Sequence, residues 1–287
     1  MSSIAQWLSH HGDIERRERE LLLCAAAGLT RADLITNPER LLCTETLERL
    51  EDWAARRRSG EPLGYLTGSQ GFLDFELVVS PAVMIPRPET EILVEHALAV
   101  LAQSDLETDS TASADTALSC PRLLDLGTGS GAIAVALARA RPDAEVIGAD
   151  ISTEALEVAA GNAAALGVAI AWRTSNWFEG LSGRFDLIVS NPPYIAADDP
   201  HLADLTFEPS LALTGGADGL DAFRAIINDA PRYLRRDAPL AFEHGYDQAD
   251  AVADLLRSQG FEDIETHRDL AGIPRVTLGR WRGSEAH

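Results

Sequence analysis

The chain has 287 residues, 46% of them hydrophobic and 24% charged, with 24 basic against 45 acidic residues and a net charge of −21. That length allows two domains, or one large one, with a substantial core. The acidic excess argues against a phosphate backbone as the main partner, because such binding leans on clustered positive charge. Every basic residue is Arg, and residues 1–60 hold 9 Arg against 10 acids, so the remainder carries almost the whole excess. Cys24, Cys43 and Cys120 are odd in number and widely spaced, with no CxxC pair and no His cluster nearby. They read as free thiols in a reducing, cytoplasmic compartment, and no metal is expected. The apolar run LLLCAAAGL at 21–29 is too short to span a membrane, and the acids of IERRERE before it do not suit a signal peptide.

Residues 1–62 read as a small helical domain. Asp13 is placed to cap a helix running to Gly28, Asn37-Pro38 to supply an N-cap and a first-turn proline, and Thr44 to open a helix to about Gly60. Residues 63–84 read as a linking strand or hairpin, since GFLDFELVVS has the apolar and aromatic spacing of a strand. The third region, 85–287, opens with the proline-punctuated turn MIPRPETE and an amphipathic helix, and its residues 103–119 (QSDLETDSTASADTALS) read as a flexible insertion. Strands and helices then alternate: LLDLG and a helix to Ala140, EVIGAD and a helix to Leu166, then AIAWRT and DLIVS. A helix near 219–235, the strand PLAFEH and a helix near 247–258 come next, before the closing strands FEDIETH and RVTLGR. This alternation is that of a doubly wound α/β sheet. The last two strands leave no room for a crossover helix and should pair antiparallel.

LLDLGTGSGAIAVALA, Leu123–Ala138, reads as a strand, a glycine-rich turn and a helix start. Gly127, Gly129 and Gly131 let the backbone turn tightly and approach a ligand, and the helix N-terminus behind them offers free N–H groups to an anionic group. Asp150 ends EVIGAD, where a carboxylate can accept both ribose hydroxyls of an adenosine. Gly127, Gly129 and Ala132 equally satisfy a dinucleotide fingerprint, so the loop by itself leaves a nicotinamide oxidoreductase and a methyltransferase open. Asp125 shifts the balance, because an acid there suits a ligand with a cationic end, such as the methionine amino group of S-adenosylmethionine. Its plain alternative is to cap the loop's own amides. An oxidoreductase would also lack an evident catalytic His or Tyr-Lys pair, since the chain has no Lys.

The stretch FDLIVSNPPYIA ends a strand on Asn191, Pro192, Pro193 and Tyr194, at the sheet edge where such folds bind substrates. An Asn offers one acceptor oxygen and two donor hydrogens. The two prolines have fixed φ and aim their carbonyls stiffly. Asn191 and the Pro192 carbonyl can therefore accept both hydrogens of a planar amide or amino nitrogen, with Tyr194 against its flat face. Such a grip raises the electron density of a poor nucleophile and aims it at a methyl sulfonium. Asn-Pro-Pro is also a plain turn signal. After a glycine loop, Asp150 and a well-formed strand, the functional reading takes precedence.

With these residues assembled, the chain resembles the HemK/PrmC family, the glutamine-N5 methyltransferases of peptide chain release factors. The likeness covers EPLGYLTGSQGF, VSPAVMIPRPETE, LLDLGTGSGAIA, GADIS, NWFEGL, FDLIVSNPPYIA, FEHG and DLAGIPRVTLGR. IPRPETE together with NPPY is highly specific. NPPY alone is shared with adenine-N6 DNA methyltransferases, so an adenine-N6 nucleic-acid methyltransferase is the alternative, with the −21 charge and the lack of a basic recognition segment against it. The resemblance implies a mostly parallel seven-stranded sheet of the class I S-adenosylmethionine methyltransferase type, an N-terminal helical substrate-binding domain and a linking hairpin. It implies S-adenosylmethionine as cofactor, S-adenosylhomocysteine as product, and the glutamine of Gly-Gly-Gln in class-one release factors as substrate. The cofactor would be held by Asp125, Gly127, Thr128, Gly129, Ser130, Gly131, Asp150, Ile151, Asn176, Trp177 and Asn191, with Trp177 near the adenine. Asn176 stands where many relatives carry an acid. Asn191, Pro192, Pro193 and Tyr194 would hold the glutamine, Asn191, Pro192 and Tyr194 being catalytic. Pro86 to Glu91 would shape the near wall, where Arg87 and Glu89 either meet substrate or form a structural ion pair. A monomer without membrane or direct nucleic-acid contact is expected. The Arg16-Arg17-Arg19 and Arg56-Arg57-Arg58 clusters either meet a release factor or are solvated helix faces.

Overall fold

The computed structural model describes residues 2–109 and 120–283, which divide into two compact units, Met1–Ser69 and Gln70–His287. The first unit is helical: α1 (Ile4–His10), α2 (Arg16–Ala27), α3 (Arg31–Thr36), α4 (Thr44–Arg58) and α5 (Leu63–Thr67). Ser3 with Gln6 and Thr30 with Asp33 form capping boxes that satisfy the orphan amides of α1 and α3. Both of those short helices, and α5, escape the sequence reading. Asn37 does not open a helix but closes α3, and the N-cap of α2 is Glu15 in place of Asp13. Ile4, Trp7, Leu22, Leu23 and Leu50 form the unit's core. The Arg56–Arg58 run is not a free basic patch. Arg56 pairs with Glu61 and Asp52, Arg57 with Glu18, and Arg58 with Asp13.

The second unit begins with a hairpin, β1 (Ser69–Phe72) and β2 (Phe75–Val78), followed by an irregular segment and α6 (Pro88–Asp109). The expected insertion at 103–119 starts as a continuation of that helix, and residues 110–119 lie outside the described residues. Then come β3 (Arg122–Leu126), α7 (Ala132–Ala140), β4 (Glu145–Asp150), α8 (Thr153–Ala165), β5 (Ala171–Thr174) and β6 (Leu187–Ser190). They are followed by α9 (Asp221–Asp229), β7 (Pro239–Glu243), α10 (Ala249–Gln259), β8 (Phe261–Arg268) and β9 (Pro274–Trp281). The sheet runs β5-β4-β3-β6-β7-β9-β8, parallel from β5 to β7, with β9 antiparallel to both β7 and β8. The closing pair is thus antiparallel, as its short connection requires.

Alternation along the strands feeds two cores. Leu123, Val146, Leu187 and Val189 face Leu93, Val94 and Ile133 on one side of the sheet. Leu124, Leu126, Ile147, Ile188 and Leu240 face Phe223 and Ile226 on the other. Strand order reverses at β3, which has β4 on one side and β6 on the other. The loops leaving β3 and β6 therefore diverge and open a crevice at the carboxyl edge of the sheet. No helix among the described residues is long and apolar enough to cross a membrane.

Candidate functional site

The loop after β3 is shaped by three glycines at positive φ, Gly127 (71°), Gly129 (54°) and Gly131 (83°), a region that side chains disfavour. Its amides turn back onto the sheet, Gly127 N and Thr128 N donating to the Ala149 carbonyl at 2.8 and 3.0 Å. Asp150, at the tip of β4, accepts from Gly129 N on Oδ2 and from Ser152 N on Oδ1, each at 2.9 Å. Each oxygen keeps acceptor capacity for a further donor. The buried Asn162 of α8 ties the loop to the hairpin. Its amide donates to the Ser130 and Val78 carbonyls, and its oxygen accepts from Val78 N.

This loop is one wall of a cavity of about 550 Å³, within the range of small-molecule sites. Gly127, Thr128, Gly129, Ser130, Asp150 and Ile151 line it on that side, joined by Asn176 and Trp177 from the turn after β5. Trp177 has a positive φ of 52°, unusual for a bulky residue, and Ser175 Oγ donates to its carbonyl at 2.6 Å. Asn191 and Pro193 line the same cavity, together with Pro86 and Thr90.

Asn191 Nδ2 donates to Thr90 Oγ1 at 3.2 Å, while Asn191 Oδ1 is buried with no partner. A desolvated acceptor left unmet costs about 1–3 kcal/mol, so a ligand N–H there would be favourable. The backbone behind Asn191 is clamped. Ile195 N donates to the Leu213 carbonyl, Gly215 N to the Ile195 carbonyl, and Gln248 Nε2 to the Tyr194 carbonyl, all at 2.9 Å. A Cβ on Gly219 would sit 2.3 Å from that same Tyr194 oxygen.

Not every expected residue reaches the wall. Asp125, Gly131, Pro192, Tyr194, Arg87 and Glu89 are not among the residues lining the cavity. Asp125 is fully buried. Its Oδ2 accepts from Thr128 Oγ1 at 2.6 Å and from Ala134 N at 3.1 Å, and its Oδ1 has no partner. The structure thus gives Asp125 the capping role at the start of α7, and burial pushes its pKa up to about 7. Arg87 is ion-paired with Glu208, a nearly buried acid that also accepts from Ile85 N. The ion-pair alternative for Arg87 is the one observed, with a partner 121 residues away in sequence. Tyr194 is turned inward, its hydroxyl donating to Glu243 Oε1 at 3.4 Å, and burial raises its pKa.

The sequence reading missed Glu208 and Glu243 as part of this region, while Thr90 lies within the Pro86 to Glu91 stretch it named. Glu243 carried a usable signal, since an acid ending the apolar strand PLAFE is rarely buried without purpose.

Two family models match: the PrmC N-terminal domain over residues 2–68 and the Methyltransferase small domain over residues 99–206. The release factor glutamine methyltransferase of Pseudomonas aeruginosa is 50% identical over 270 residues, covering 93% of this chain and 92% of that protein. The chain belongs to the release factor glutamine methyltransferase family. A Yersinia pestis member is 44% identical over 94% of each chain. The fold is that of class I methyltransferases: a Pyrococcus furiosus methyltransferase superposes with a TM-score of 0.53 at 15% identity, covering 82% of this chain and 100% of that one.

Proposed function

We propose that this chain transfers a methyl group from S-adenosylmethionine to the side-chain nitrogen of the glutamine in the Gly-Gly-Gln motif of class-one release factors. It does so in the cytoplasm as a monomer, without binding nucleic acid. The observation that carries the reading is one cavity lined by the glycine loop, Asp150 and Asn191 together. The residues fit the cofactor. Asp150 retains acceptor capacity for ribose hydroxyls, Trp177 and Ile151 give an apolar surface for an adenine, and the glycine loop lets a ligand approach the backbone closely. When bound, S-adenosylmethionine supplies an electrophilic methyl group on a sulfonium.

The chain's own residues handle the nucleophile. An amide nitrogen attacks poorly because its lone pair is delocalised into the carbonyl. Asn191 Oδ1, buried without a partner, accepts one of its hydrogens. That acceptor stabilises the positive charge that grows on nitrogen as its bond to the methyl carbon forms and the carbon–sulfur bond breaks. The stiff prolines and the Gln248 clamp keep the geometry without reorganisation. No strong base is needed, since the excess proton leaves to water after transfer.

The test is a mass spectrum of a release factor after incubation with the protein and S-adenosylmethionine. A gain of one methyl mass on the Gly-Gly-Gln peptide supports the proposal. Label moving to DNA or RNA instead, with none on the release factor, would restore the adenine reading.

A further inference from the structure

The chain between the Asn191 segment and α9 forms a long loop whose ends are fastened. Ile195 N donates to the Leu213 carbonyl, Gly215 N to the Ile195 carbonyl and Ala197 N to the Gly216 carbonyl, each at 2.9 Å. Between these ends lie two short 3₁₀ turns, Pro200–Asp204 and Ser210–Ala212. Among the described residues from Ala196 to Ala212, Glu208 alone is buried. Loops of this length in a compact domain usually serve a function. This one is held down by an acid and not by an apolar side chain, although a carboxylate is costly to bury unless it is paired and hydrogen-bonded.

Glu208 is both. Its side chain is 2% exposed, its Oε1 takes the Arg87 guanidinium, and its Oε2 accepts from Ile85 N at 3.1 Å. Among the described residues, these are the hydrogen bonds by which residues 198–212 reach beyond their own loop. The others close on neighbours, as Leu202 N does on Asp199, Glu208 N on Leu205 and Ala212 N on Pro209. The segment that Glu208 grips supplies Met84, Pro86 and Thr90 to the cavity, and the residues just after Glu208 supply Pro209, Leu211 and Ala212. One carboxylate therefore joins two stretches that line the site. The junction is also tied to Asn191: Thr90 N donates to the Arg87 carbonyl at 3.1 Å, and Thr90 Oγ1 accepts from Asn191 Nδ2 at 3.2 Å. The glycine loop and Asp150 make no bond to Arg87 or Glu208 among the described residues.

We propose that Glu208 is a positioning residue: with Arg87 it forms a clasp that holds the 196–212 loop against the Ile85–Thr90 segment, so that the cavity is ready-shaped for the glutamine segment of the release factor. This rests on the function proposed above. With the clasp broken, the loop keeps its fastened ends while its middle opens. Only the closed fraction of molecules then presents Pro209, Leu211 and Ala212 to the substrate, and the apparent affinity falls by that fraction. Once substrate is bound the loop is closed again, so the transfer step itself is little changed.

The test compares Glu208→Gln, Arg87→Gln and the double variant with the parent, using full-length protein and an intact release factor. Each single change should raise the KM for release factor about tenfold, with kcat and the Kd for S-adenosylmethionine within a few-fold of the parent. Each should also speed amide hydrogen exchange in residues 198–212 while leaving β3 and β6 as protected as before. The double variant should be no worse than the worse single, since both changes open one clasp. Unchanged KM in the singles, additive losses, or unaltered exchange in the loop would overturn the proposal. So would a raised KM in Arg87→Gln alone, which would mark Arg87 as a direct contact of the release factor. Should Glu208→Gln fail to fold, Arg87→Gln decides through its KM and loop exchange together, because Arg87 is 38% exposed and its replacement empties no core. A parent that transfers no methyl group to the release factor removes the proposed function, and loop exchange then decides the clasp by itself.

Discussion

Asp125→Asn should change how stability depends on pH, and the size follows from the burial of that side chain. Asp125 is fully buried with one oxygen unpartnered, and desolvation raises its pKa from 3.8 to about 7 against the pull of Thr128 and Ala134. The folded chain therefore holds this proton more tightly than the unfolded chain does. Between about pH 4 and pH 7 folding takes up a proton, so stability falls as pH rises and levels off above about pH 7. The interval from pH 5 to pH 7 spans about two pKa steps, on the order of 3 kcal/mol as a ceiling. For a unit of this size that is about 2–4 °C of Tm per kcal/mol. Asn at 125 cannot titrate, so the variant should gain on the parent by several degrees between pH 5 and pH 8. Any constant offset from altered bonds to Thr128 cancels in that comparison. Glu243, raised from 4.5 to about 7 mainly by burial, slopes the same way. The buried His244, whose pKa is lowered, slopes the other way, and both are common to the two proteins. Asp13 and Asp218, lowered to about 2 by their Arg partners, act only in more acidic solution. Melting curves from pH 5 to pH 8 make the measurement. Parallel Tm profiles for variant and parent would refute the buried-acid account.

Asn191→Ala should reduce kcat by about a hundredfold or more while the cofactor Kd, read by calorimetry, stays within a few-fold. Asp150→Ala should do the reverse, weakening S-adenosylmethionine binding at least about tenfold through lost ribose acceptors and a freed Gly129 amide. Gly219→Ala places a Cβ 2.3 Å from the Tyr194 oxygen at a φ of +74°, so it should cost about 1–3 kcal/mol of stability and displace the segment that carries Asn191. Unchanged melting and full activity in that variant would show the clamp to be slack. Arg57→Ala should lower the stability of the helical unit by no more than about 1 kcal/mol, with no change in the KM for a release factor, because its guanidinium is engaged by Glu18.

The alternation of strands and helices, the glycine loop, Asp150 and the rigid Asn191 to Tyr194 segment were legible because each is local. A two-residue or 3.6-residue period, a run of glycines or a pair of prolines states its conformation within a few positions. The capping boxes of α1 and α3 were legible in principle as Ser3…Gln6 and Thr30…Asp33, but helices of 7 and 6 residues give too little periodicity to draw attention to them. The family likeness extended this to the cofactor and the substrate, since motifs spread along the chain recur together. Which of the named residues reach the cavity was decided by the tertiary structure alone. Arg87 finds Glu208, Asp125 turns under α7, and Tyr194 points inward to Glu243, each through a partner distant in sequence or a burial that no local pattern encodes. Strand order adds the rest. The reversal at β3 brings the loops after β3 and β6 to one crevice, and that adjacency arises from packing both faces of the sheet, not from any single stretch of residues.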